Sequence, residues 1–168
     1  MNKQKSPHDE LIAKYANCPS QLEAAIRGLS DGDLDQRKTD NDWTIREIIH
    51  HIVDGDDLWK TFVKQAIGSP KGAAFFNWYW DVPQDEWVKH WRYKERAIEP
   101  SLALFRANRA HIVQLLRHTP GVMEMGLRVS WPYREESEAT IALLLKGQTQ
   151  HVLDHVAEIG EIRELHGL

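Results

Sequence analysis

The stretch Thr149-Gln150-His151-Val152-Leu153-Asp154-His155-Val156-Ala157-Glu158-Ile159 carries two histidines four residues apart within an apolar pattern of helical period. On a helix that spacing stacks both imidazoles on one face, one turn apart. Stepping each residue by about 100° puts Ile141, Leu144, Leu145, Val152, Val156, Ile159 and Ile162 on one arc, with His155 inside it and His151 at its edge. Asp154 points nearly the opposite way, and Glu161 lies on the polar side. An imidazole on the apolar face needs a partner for each ring nitrogen, and a metal ion is one such partner. Half-exposed histidines bonded to neighbours would give the same pattern, so the pair alone does not decide between them. A metal site needs a third protein ligand from elsewhere in the chain.

The second informative stretch is Asp42-Trp43-Thr44-Ile45-Arg46-Glu47-Ile48-Ile49-His50-His51-Ile52-Val53-Asp54. Thr44 followed three residues later by Glu47 is a capping box and fixes the start of a helix. Ile45, Ile48, Ile49, Ile52 and Trp59 mark its buried stripe. His51 lies about 100° from the centre of that stripe and His50 about 150°, so His51 is expected to turn inward and His50 to face water.

These two stretches together resemble the DinB-like superfamily, especially its YfiT-type metal-dependent hydrolases. In that family a tryptophan opens the second helix and a histidine eight residues later binds metal, which maps onto Trp43 and His51. The family's His-x-x-x-His pair on the last helix maps onto His151 and His155. The resemblance therefore implies a metal site of His51, His151 and His155, and an up-down-down-up bundle. It carries no substrate, because some members look like transferases for small thiols.

The rest of the chain supports an all-α four-helix bundle with long connecting loops, as one domain over residues 1–168. Asp9 to Leu29 has helical spacing, with Pro19-Ser20 expected to kink or divide it and Ser20 to cap the second piece. Ser30 to Asp42 is acidic but lacks calcium-loop spacing, so it reads as a connection. Ala66 to Pro83 reads as a loop whose aromatic run Phe75-Phe76-Asn77-Trp78-Tyr79-Trp80 packs in the core or as a lid, continued by Trp87 and Trp91. Glu95 to His118 reads as the third long helix, with Pro100 in its first turn. Val122 to Glu136 reads as irregular, with Leu127-Arg128-Val129-Ser130-Trp131-Pro132 at most a short extended piece, and Ser137 or Thr140 as the cap of a last helix running to about Leu165.

Composition excludes several classes. A net charge of -4 with no Lys/Arg block leaves no footprint for nucleic acid or an anionic membrane surface. The longest aliphatic run, Ile141 to Leu145, cannot span a bilayer, and the polar N-terminus is no secretory signal. Cys18 is the lone cysteine, so cytoplasm is the expected compartment. No nucleophile triad or phosphate loop is visible, and no catalytic residue can be placed. Glu47 and Glu158, each one turn from a candidate ligand, read as capping or surface residues.

The expected function is a metal-dependent enzyme, a hydrolase or a small-thiol S-transferase, using zinc or nickel, both of which suit imidazole. Its expected partners are a small-molecule substrate, including a low-molecular-weight thiol, and a second copy of the chain in a homodimer. The rival is a metal-binding or metal-free homodimeric bundle without turnover.

Overall fold

Thr44 starts the helix that carries His51. Its side chain accepts from the Glu47 amide at 3.2 Å while the Glu47 carboxylate accepts from the Thr44 amide at 2.8 Å. This closes the capping box read from the sequence, and the helix, α2, spans Ile45–Gly68. In the computed structural model, residues 6–69, 72–74, 79, 81–130 and 135–168 are described. Among them α1 spans Pro7–Ala25, α3 Gln84–His90, α4 Ile98–His118 and α5 Ile141–His166.

Contacts between side chains give the directions of the four long helices. The pairs His50–Ser101 and Asp56–Arg109 advance together along α2 and α4, so those helices run parallel. Trp43–His155 and His51–His151 advance in opposite senses, so α2 and α5 are antiparallel. Tyr15–Arg109 and Glu23–Arg106 set α1 antiparallel to α4. The bundle is up-down-down-up, and its parallel step from α2 to α4 demands the long crossover that contains α3.

Pro19 lies inside α1, which continues unbroken to Ala25, so Ser20 caps nothing. A proline cannot donate to the carbonyl four residues back. Here that carbonyl, Tyr15 O, accepts instead from Arg109 Nη1 at 3.3 Å. A guanidinium from α4 thus replaces the missing amide, which is why the expected division into two pieces does not occur.

Two other loop readings change. α2 runs three residues into the segment read as a loop, and Ala73–Ala74 (β1) pairs parallel with Gly126–Val129 (β2). β2 in turn pairs antiparallel with Ser137–Thr140 (β3), so Ser137 lies in a strand and Thr140 is the helix cap, accepting from Leu143 N at 3.2 Å. Strands this short carry no readable alternation, and β1 lies far from β2 in sequence. Gly126 is required there, because a Cβ would come within 2.8 Å of the Ala139 carbonyl oxygen. Of the aromatic run, Tyr79 is buried against Trp87 at a ring separation of 4.7 Å, while Phe75 to Trp78 and Trp80 lie outside the described residues, as do Trp131 and Pro132.

The acidic turn Ser30 to Asp42 is fastened by one buried cation. Arg46 Nε reaches Asp35 Oδ1 at 2.9 Å, and its Nη2 reaches Asp31 Oδ1 at 2.8 Å. Apolar packing falls into two clusters. One lies around Phe62, Leu127 and Ile141, and the other around Leu22, Ile49, Phe105, Val152 and Ile159. The histidine end of the bundle belongs to the second.

Candidate metal centre

His51, in the second turn of α2, meets His151 and His155 of the antiparallel α5. One ring nitrogen from each residue falls within 4.8 Å of the other two, and His51 Nε2 lies 3.0 Å from His151 Nε2. Two imidazoles bound to one tetrahedral ion at about 2.0–2.1 Å would hold their nitrogens about 3.3–3.4 Å apart. The rings therefore already stand close to the separation that a shared ion requires, and the donor set suits one.

Electrostatics keeps His51 and His151 neutral. Burial, reinforced by the neighbouring histidines, pushes His51 down to about 3. His151 falls to about 4, from burial first, then His155 and the positive charge of Arg109. Neutral imidazoles are the form that ligates metal, so protons offer little competition here above mildly acidic pH.

His155 is held differently. Its Nδ1 lies 2.9 Å from Glu158 Oε2. A carboxylate only accepts, so Nδ1 carries the hydrogen and Nε2 keeps its lone pair for the cluster. Glu158 is thus a hydrogen-bond partner of a cluster histidine rather than only a surface residue. Spacing could have suggested it, since a residue three along a helix shares a face.

His50 departs from its expected place in water. It is 0% exposed, with Nδ1 2.9 Å from Ser101 Oγ and Nε2 3.2 Å from the Arg96 carbonyl. The carbonyl only accepts, so Nε2 donates and Nδ1 accepts from the serine hydroxyl. Both nitrogens are used, and His50 has no lone pair to offer an ion. The helical wheel fails because α2 packs against α4 as well as α5, which buries a face wider than its isoleucine stripe.

Trp43 walls the cluster. Its ring lies 4.6 Å from that of His51 and stacks on His155 at 6.4 Å, while its Nε1 donates to Asp85 Oδ1 of α3 at 2.8 Å. The same tryptophan lines a cavity of about 510 Å³ together with Glu47, Asp85, Lys89 and Tyr93. Glu47 faces that cavity, but its carboxylate is engaged in the helix cap. Among the described residues no helix is long and apolar enough to cross a membrane.

Residues 14–159 match the DinB superfamily. A protein of Geobacillus thermodenitrificans named "Putative metal-dependent hydrolase" is 26% identical over 159 residues, 94% of this chain and 85% of that one. A Geobacillus kaustophilus protein of the same description is 25% identical over the same shares of the two chains. The solved structure of YfiT from Bacillus subtilis, described as a probable metal-dependent hydrolase with an unusual four-helix bundle topology, superposes with a TM-score of 0.81. That match covers 99% of this chain and 93% of the other at 22% identity, and it shows a common fold.

Proposed function

The chain belongs to the DinB superfamily, and from that membership we propose that it is a metal-dependent hydrolase whose ion is held by His51, His151 and His155. The observation that carries the reading is the convergence of one nitrogen from each of three half-buried imidazoles, two of which burial holds neutral. Its relatives' names favour hydrolysis. Zinc and nickel both suit three imidazoles, and a divalent ion there would supply Lewis acidity toward water or a substrate carbonyl.

The protein's own part is orientation and exclusion of bulk water. The antiparallel packing of α2 on α5 brings the three nitrogens together, and Trp43 covers His51 and His155 on one side. Three protein ligands leave a fourth tetrahedral position for a small molecule. A low-molecular-weight thiol taking that position would make the same centre an S-transferase.

Metal content tests the proposal directly. Protein purified without added metal should contain about one zinc or nickel per chain, and His51→Ala, His151→Ala and His155→Ala should each lose it. Full occupancy in any one variant removes that residue from the site. Hydrolysis of a nitrophenyl ester should disappear on chelation and return with zinc or nickel; turnover indifferent to chelation overturns the metal-dependent reading. In cobalt-substituted protein, an unchanged spectrum on adding small thiols removes the transferase form.

A further inference from the structure

The third histidine is buttressed on both sides. Glu158, 30% exposed and three residues along α5, accepts from His155 Nδ1, and the Trp43 ring stacks on the imidazole within 21° of parallel. A cation stands beside the carboxylate. Lys38, from the connection between α1 and α2, places Nζ 4.0 Å from Glu158 Oε1 and 2.5 Å from Glu161 Oε2. We propose that Glu158 is a positioning residue for the metal, fixing the His155 tautomer that presents Nε2, and that Lys38 holds the Glu158 carboxylate in place.

The physical argument is one of choice between tautomers. A neutral imidazole carries one hydrogen, and if it sits on Nε2 the ring must exchange it before it can ligate. A carboxylate at hydrogen-bond distance from Nδ1 assigns the hydrogen to the far side of the ring from the cluster and raises the basicity of Nε2. His51 and His151 face each other through Nε2 at 3.0 Å, so one of the two carries its hydrogen on the cluster side and keeps this problem until an ion displaces the proton. His155 answers it through Glu158. Lys38 ties the arrangement to the loop that leads into Trp43, so one connection restrains both the carboxylate and the indole beside the same ring. The proposal rests on the three-histidine reading above, but its primary test does not need the ion.

Ring nitrogen shifts of His155, read by two-bond proton–nitrogen correlation in the metal-free full chain, should report an Nδ1–H imidazole. Glu158→Ala should populate the Nε2–H form and raise the zinc dissociation constant, read by competition with a chromophoric chelator, about 10–100-fold. Glu158→Gln keeps an accepting oxygen and should hold the tautomer, with affinity within a few-fold of the native protein. Lys38→Ala should move both readouts the same way as Glu158→Ala, but less. An unchanged tautomer in Glu158→Ala overturns the proposal, as does an equal affinity loss in the alanine and glutamine variants. If the native protein binds no zinc or nickel, the functional reading above fails, while the tautomer shift still decides the role of Glu158.

Discussion

Two polar centres sit inside this bundle, about a turn and a half apart on α2, and they are built in opposite ways. His51 belongs to a trio of rings that bring one nitrogen each within 4.8 Å of the others. Asp56 belongs to an ion pair with Arg109, Nε to Oδ1 at 2.9 Å, in which both side chains are 2% exposed or less. The trio invites a third party. The pair is closed: the Arg109 guanidinium also lies 3.7 Å from the centre of the Tyr15 ring and bonds the carbonyl that Pro19 leaves free. Under the function proposed above, the difference separates a functional centre from a structural one: removing a histidine should cost a ligand, whereas removing a member of the pair should cost the fold.

The largest effect on stability is therefore expected at Arg109. Arg109→Met leaves Asp56 buried without its counter-charge and Tyr15 O without its donor, and should cost about 3–5 kcal/mol. Adding Asp56→Leu removes the stranded carboxylate and should recover most of that loss. Urea unfolding of the two variants against the native chain measures both. If Arg109→Met costs no more than a surface change, the pair is not the strut that its burial implies.

The next effect is a pH dependence. Burial outweighs the attraction of Arg109 and Lys60 and, with Asp57 adding repulsion, pushes the Asp56 carboxyl up to about 6. The partial pairing explains that balance, because Oδ2 of Asp56 and both Nε and Nη2 of Arg109 lack hydrogen-bond partners among the described residues, the Nε–Oδ1 approach being an ion contact. Tyr15 and Cys18 of α1 also face Asp56, and neither is ionised near neutrality, since burial raises both. A carboxyl whose folded pKa exceeds its ordinary value of 3.8 contributes stability that is complete below 3.8 and is lost as pH rises through 6. Asp56→Asn should thus gain on the native chain between pH 4 and pH 7, by up to about 3 kcal/mol at about 1.4 kcal/mol per unit. Taking the difference cancels the titration of the histidines. The opposite slope would mean that the guanidinium, and not burial, governs this carboxyl.

The two centres were also unequally legible in the sequence. The i, i+4 pair could be read from its apolar arc, whereas His51 was joined to it by the family resemblance carried by Trp43 and the helix that the Thr44–Glu47 box opens. The structure brings those three rings together. Asp56 and Arg109 show no local signal, since their partnership depends on α2 and α4 running parallel, and only the crossover between them sets that. The same non-local dependence hid the continuity of α1 through Pro19, which rests on Arg109, and the strand pairing of Ala73–Ala74 with β2. The start of α2 was readable because Thr44 and Glu47 cap it locally, and that of α5 was narrowed to Ser137 or Thr140, whereas the Ser6–Asp9 box that opens α1 went unread.

His50 gives the smallest effect and the sharpest test of the contrast, because it adjoins a cluster histidine yet belongs with the structural centre. Its ring closes a chain from the Ser101 hydroxyl to the Arg96 carbonyl, and burial, outweighing the Arg96 hydrogen bond, lowers its pKa and keeps it neutral. His50→Ala strands one buried donor and leaves a cavity, which should cost about 1–3 kcal/mol. Metal content should nevertheless stay at the native value, because neither His50 nitrogen is free to ligate. His51→Ala should behave in reverse, losing the ion while unfolding near the native urea midpoint when both proteins are stripped of metal. Loss of metal in His50→Ala equal to that in His51→Ala would show that the saturated ring reaches the ion after all. A stability cost in His51→Ala exceeding that in His50→Ala would show that the trio, too, is part of what holds the helices together.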